Sequence, residues 1–266
     1  MAVAAEARAD GLRIAYDDVG AGEPALLFLT GWCSSRERWG GVVPLCGARR
    51  RVLNTEWRGH GESDRPRDDF GIEQMVEDAL AVVEASGAET VVPCSASHSG
   101  WVAIELRRRL GERVPKLVLA DWMVVRPSER YMGVIHQLDS SEWPEAKQTL
   151  FTICAAGVET PEIQRTLGVM DEHGEEMWMR SGREIGASYA AYGSPLEALA
   201  QLESPPRVLH LYGQPQDEAF LEEQQRFAAE HDWFSVLHLP EVRTHFVMVE
   251  AQQEVAGAIE GFVAAP

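Results

Sequence analysis

Basic residues are scarce in this chain: 24 Lys and Arg stand against 42 Asp and Glu over 266 residues, a formal charge of −18. Nucleic acid and anionic membranes are therefore poor partners, because binding phosphate needs a basic face. The acidity reads as a solubility device and carries no functional weight. Cysteine is sparse too. Cys33, Cys46, Cys94 and Cys154 are scattered without a Cys-x-x-Cys pair, which points to reduced thiols and a cytoplasmic location. The eight histidines show no metal-ligand spacing, so no metal is expected. No uninterrupted apolar run is long enough to span a bilayer. Met1 to Asp10 carries Glu6, Arg8 and Asp10 and lacks the apolar core of a signal peptide. Internal repeats and low-complexity linkers are also missing. A chain of this size and ordinary composition can bury one large core with an insertion.

What the chain does have is alternation. Leu12 to Asp17 alternates apolar and polar and predicts an early antiparallel strand. Ala25 to Thr30, Arg51 to Thr55, Thr90 to Ser95 and Lys116 to Asp121 are continuous apolar runs, as expected of strands covered on both faces. Arg207 to Tyr212 and Phe234 to Leu239 resume the series. Helical spacing falls between them, at Ile72 to Ser86, Trp101 to Leu110, about Glu218 to Glu230 and Gln252 to Val263. The fold class is α/β with a mostly parallel central sheet. Val124 to Glu203 breaks the pattern with helical segments carrying Trp143, Phe151, Trp178 and Tyr189. The predicted organisation is a core of residues 1–123 and 205–266 with an inserted helical cap at 124–204.

The most telling stretch is Val91-Val92-Pro93-Cys94-Ser95-Ala96-Ser97-His98-Ser99-Gly100-Trp101. Strand, sharp turn and helix in that order make a nucleophile elbow, with serine at both positions where glycine is usual. Three more signatures fall in order around it. Thr30-Gly31-Trp32 follows the first buried strand, Trp57-Arg58-Gly59-His60-Gly61-Glu62-Ser63 the next, and Thr244-His245-Phe246 the last. Ser97 and His245 are the candidate catalytic pair. His60, between two glycines, reads as structural. His98 has two readings, a donor to the ligand or a residue that merely starts a helix. Trp32, Trp101 and Trp122 sit at strand C-terminal ends, where ligands bind in α/β sheets, and suggest an aromatic-lined pocket. After the seventh strand, where an acid usually orients the histidine, Tyr212-Gly213-Gln214-Pro215-Gln216-Asp217 has glutamine, Gln216, where the acid usually falls, and Asp217 one place late reads as a helix N-cap. Asp121, ending the preceding core strand, is the preferred acid.

Together the four signatures resemble the α/β-hydrolase fold. Gly31-Trp32-Cys33, Ser97-His98, Gly100-Trp101-Val102, Asp121-Trp122, Arg180-Ser181-Gly182-Arg183 and Arg243-Thr244-His245-Phe246 further resemble the cofactor-free 3-hydroxy-4(1H)-quinolone 2,4-dioxygenases. Glu142-Trp143, Leu150-Phe151 and Trp178 extend the likeness through the cap. The resemblance implies opening of an aromatic heterocycle by O2, release of carbon monoxide and an N-acylanthranilate product, without metal, flavin or haem. It implies His245 as base with Asp121 as its acid, and Ser97 as a hydrogen-bonding group. The backbone N–H groups of Trp32 and His98 would face the developing oxyanion. By this resemblance, the 2-methyl-quinolone members carry a tryptophan where this chain has Cys154. A small residue there implies room for a longer 2-alkyl tail, with Ile153, Trp122, Trp178, Met177 and Met179 as apolar wall. The competing reading is a serine hydrolase, an esterase or lactonase using Ser97, His245 and Asp121.

Overall fold

The apolar runs become eight strands of one sheet in the computed structural model, which describes residues 3–266. They are β1 (Val3–Ala9), β2 (Leu12–Val19), β3 (Ala25–Leu29), β4 (Val52–Thr55), β5 (Val91–Ala96), β6 (Lys116–Ala120), β7 (Arg207–Tyr212) and β8 (Phe234–His238). Their order across the sheet is β1-β2-β4-β3-β5-β6-β7-β8. β1 and β2 form an antiparallel hairpin, β2 meets β4 antiparallel, and β3 to β8 run parallel. The sequence reading has no counterpart for β1. Its Ala-rich alternation carries little β signal, but Asp10 and Gly11 both take positive φ (51° and 80°), the two-residue turn that closes a hairpin.

Helices cover both faces. α1 (Val43–Gly47), α2 (Ile72–Ser86) and α3 (Gly100–Leu110) alternate with the first parallel strands, and α4 (Glu129–Leu138), α5 (Trp143–Ala155), α6 (Pro161–Asp171), α7 (Glu175–Tyr192) and α8 (Pro195–Ala200) lie between β6 and β7. α9 (Glu218–Glu230), α10 (Val247–Glu250) and α11 (Gln252–Ala264) complete the chain. Alternate residues of β3 part to opposite faces, as the pleat requires. Leu27 and Leu29 join one buried cluster with Val76, Val82 and Leu106. Leu26 and Phe28 join the other with Val255 and Ile259. With both faces dry, β3 and β5 are buried throughout, which is why their sequences read as unbroken apolar runs. Asp217 does cap α9, its carboxylate accepting from the Ala219 N–H at 2.9 Å. No helix of the described residues is long and apolar enough to cross a membrane.

Candidate active site

The parallel strands end at one edge, and there the backbone is strained. Cys33 after β3, Ser97 after β5 and Asp121 after β6 take φ of 54°, 55° and 45°. Left-handed conformations cost a residue with a Cβ about 1–2 kcal/mol, and such strain gathers at functional sites. The elbow sequence explains how the turn closes. Ser99 Oγ donates to the carbonyls of Leu29 (3.1 Å) and Ala96 (2.9 Å). Ser95 Oγ donates to Val118 O at 3.4 Å. Serine at both flanking positions therefore satisfies its own hydroxyl. Gly100 has no such latitude, since a Cβ there would lie 2.1 Å from the Trp122 ring.

Ser97, His98 and His245 line a cavity of about 460 Å³ beneath the inserted helices, together with Trp32, Trp122, Ile153, Cys154 and Trp178. Trp32, His98, Trp122, Ile153, Cys154 and Trp178, each expected from the sequence to contact substrate, are on this wall. Trp101 is not: it packs edge-on against Trp122 at 5.0 Å and supports the ring that does face the cavity. Met177 and Met179 are not on it either. α7 turns Trp178, Ser181 and Ile185 inward, positions spaced by three and four that share one helix face. The residues either side of Trp178 must therefore point elsewhere, and Met123 and Met170 supply the thioethers instead.

His245 enters from the loop after β8. Its ring makes no hydrogen bond to a protein group among the described residues. Its backbone is fixed instead, with the N–H donating to Cys154 O at 2.8 Å and the carbonyl accepting from Arg38 Nη2 at 2.8 Å. Burial, then the Arg38 cation, then His98, hold the imidazole well below the usual histidine range, so it is neutral and free to take a proton. Asp121 lies fully buried under the same loop. Its carboxylate accepts from the N–H of Gly213 (2.9 Å) and of Val247 (2.5 Å). It thus pins the histidine loop to the end of β7 and does not bond the imidazole itself. Burial raises Asp121 to about 6, against the opposing pull of those two N–H groups and Arg38.

Ser97 Oγ is 3.1 Å from His98 Nδ1, and His98 Nε2 is 3.1 Å from the Tyr131 hydroxyl on α4. Burial lowers His98 to about 3, which keeps it neutral. His98 is the one partner of the Ser97 hydroxyl among the described residues, and His245 does not bond it. His60 has a scaffolding place. Its Nδ1 must donate to Arg58 O (3.0 Å), leaving Nε2 to accept from the Cys33 N–H (3.1 Å). The Cys33 N–H is thereby spent, while that of Trp32 has no partner among the described residues and is available to an oxyanion.

Arg38 and Gln214 escaped the sequence reading. Arg38 is buried on the cavity wall, over the Phe246 ring at 4.7 Å, and pairs with no carboxylate within 4 Å among the described residues. Gln214 donates to Ile153 O at 2.7 Å, while Arg243 donates to Ala156 O at 3.1 Å. With the His245 N–H, they satisfy the carbonyls that the C-terminal turn of α5 leaves open. At the place that holds an acid in hydrolases, Gln216 donates instead to Gly213 O (2.6 Å) and Val242 O (2.7 Å). Among the described residues no three His, Cys, Asp or Glu side chains are gathered as metal ligands.

Over residues 26–258 the chain matches the Alpha/beta hydrolase family. It is 32% identical over 260 residues to a 2-heptyl-3-hydroxy-4-quinolone dioxygenase of Rhodococcus erythropolis, covering 96% of each chain. It is 32% identical over 244 residues to the 1H-3-hydroxy-4-oxoquinoline 2,4-dioxygenase of Pseudomonas putida, covering 91% of this chain and 92% of that one. Among solved structures, an AqdC variant in complex with its substrate, studied for recognition and ring cleavage of the Pseudomonas quinolone signal, matches with a TM-score of 0.92. Identity there is 30% over 99% of this chain and 100% of that one. An esterase of Thermogutta terrifontis, 17% identical with a TM-score of 0.78, shares the fold alone.

Proposed function

This chain belongs to the alpha/beta hydrolase family and, within it, to the 3-hydroxy-4(1H)-quinolone 2,4-dioxygenases, and we propose that it opens a 2-alkyl-3-hydroxy-4(1H)-quinolone with O2. The products are an N-acylanthranilate and carbon monoxide. Neutral His245 takes the 3-OH proton, and the buried Asp121 anion beneath its loop balances the imidazolium that forms. The resulting olate is electron-rich enough to reduce O2, so the electrons come from the substrate and no metal or flavin need supply them. The reduced oxygen bonds at C2 and then attacks C4. Breakdown of that bridged peroxide expels C3 as carbon monoxide. The free Trp32 N–H faces the oxyanion, while the apolar wall excludes the water that would trap intermediates. Free thiols at all four cysteines support a cytoplasmic setting, and consumption of a quinolone signal would make quorum quenching its role.

One observation separates this reading from a serine hydrolase. A nucleophilic serine must hand its proton to the catalytic histidine, yet Ser97 bonds His98 and not His245, and Gln216 replaces the acid. Turnover of 2-heptyl-3-hydroxy-4(1H)-quinolone under air, but not argon, with carbon monoxide released is the expected result. An acyl-enzyme trapped on Ser97 with a p-nitrophenyl ester, without oxygen-dependent turnover, would reverse the assignment.

The tail follows from the cavity. Cys154 lines it, and burial pushes its thiol up to about 12, leaving a small neutral wall group. Each buried methylene contributes about 0.8 kcal/mol, a factor of about four in affinity. The 2-heptyl compound should therefore exceed the 2-methyl compound in kcat/KM by at least about tenfold, and Cys154→Trp should invert the order. Equal values for both substrates in the unmodified protein would remove the argument for an alkyl pocket.

A further inference from the structure

We propose that Tyr131 is a positioning residue: it fixes the tautomer of His98 and so aims the Ser97 hydroxyl into the cavity as a donor. The proposal rests on the quinolone reading for its purpose, though not for its geometry. Three groups form a line from the elbow to the inserted helices, Ser97 Oγ to His98 Nδ1 and His98 Nε2 to Tyr131 Oη, each 3.1 Å. A neutral imidazole carries one N–H and one lone pair, so the line has only two polarities. In one, Ser97 donates to Nδ1 and Nε2 donates to Tyr131. In the other, Tyr131 donates to Nε2 and Nδ1 donates to Ser97.

Both polarities make two hydrogen bonds, and they differ in where the spare hydroxyl proton is left. In the first it is on Tyr131, which has no acceptor but His98 among the described residues. The nearby Tyr189 hydroxyl is already committed to Met123 O at 2.8 Å. In the second it is on Ser97, at the strand edge of the cavity that His245 and, from α4, Tyr131 also line. A 3-olate produced by His245 is an acceptor without a proton of its own, and a hydrogen bond to a charged acceptor is stronger than one to a neutral acceptor. The second polarity gives it a donor. The first would turn serine lone pairs toward the anion. Substrate and Tyr131 thus select the same tautomer, Nδ1–H, from opposite ends. Burial keeps His98 neutral, as the relay requires.

Tyr131→Phe removes the hydroxyl that holds Nε2 as an acceptor. The Nε2–H tautomer, which free histidine side chains favour, then competes and recaptures the serine proton. The test uses the full chain with 15N-labelled histidine, the His98 signals being assigned by their loss in His98→Gln. The unmodified protein should give the Nδ1–H signature at His98, and Tyr131→Phe a shift toward Nε2–H. Anaerobic binding of 2-heptyl-3-hydroxy-4(1H)-quinolone should weaken about tenfold in Tyr131→Phe and change less than twofold when the same substitution is made in Ser97→Ala. An Nε2–H signature in the unmodified protein overturns the proposal even if the variant does not fold. So does an equal loss in both backgrounds, which would mean that Tyr131 acts by packing. Failure of the quinolone reading is read separately, as absence of oxygen-dependent turnover in the unmodified protein with the tautomer unchanged.

Discussion

His245→Ala is expected to lower kcat by about 10²–10⁴-fold while leaving anaerobic quinolone binding within severalfold. The two effects separate because the residue acts through two different parts. Its N–H to Cys154 O and its carbonyl to Arg38 are backbone bonds, which alanine keeps, so the loop and the docked α5 stay in place. Only the imidazole is lost. The pH profile carries a second expectation. Burial and the Arg38 cation depress the histidine, so its neutral, proton-accepting form persists into acid. The acid limb of kcat/KM should therefore fall below the ordinary histidine value of about 6.5, and a limb above it would contradict the site's electrostatics. Added imidazole should restore part of the rate in His245→Ala. Near-wild-type kcat in the variant would eliminate His245 as the base.

The parts of this site that are legible in sequence are those dictated by local chemistry. β3 and β5 announce themselves because burial on both faces leaves no polar position, and the elbow does so because few residue types fit its strained turn. Trp32, Trp122 and Cys154 could be placed because strand ends and the helices between β6 and β7 bound the cavity. Arg38 could not. An arginine on a short 3-10 turn (Arg36–Trp39) reads as solvent-exposed, and it is buried only because a carbonyl 207 residues away receives it. The missing acid was legible at Gln216, but the bond of Gln214 to Ile153 O is a tertiary contact. Met177 and Met179 misled because apolar character says nothing of azimuth on α7 until Trp178, Ser181 and Ile185 show which face is inward. Tyr131 failed for a related reason, since its partner His98 sits on a different element.

Asp121→Asn should lower kcat/KM by about ten- to a hundredfold and abolish a pH dependence of stability that the parent shows between about pH 4 and 6. The unfolded chain titrates this carboxyl near its ordinary value of 3.8, the folded protein at about 6 because burial penalises the anion. Between those values the folded state holds more protons, so stability falls as pH rises through the window, by about 3 kcal/mol in all. Asparagine carries no charge to penalise, but it can accept from only one of the two N–H groups, Gly213 or Val247, that Asp121 holds. Stranding the other costs about 1–3 kcal/mol. The two effects nearly cancel above pH 6, whereas near pH 4 only the loss remains. Melting temperatures should therefore match at pH 8 and diverge at pH 4, with Asn lower. The rate loss has a separate origin. Val247 is two residues beyond His245, so releasing it frees the loop that presents the imidazole, and the anion that balances the imidazolium is gone. Asp217→Ala is the control: it loses an exposed N-cap bond, about 1 kcal/mol of stability, with no change in rate. A larger rate loss in Asp217→Ala than in Asp121→Asn would mean that the wrong carboxylate has been assigned to the histidine.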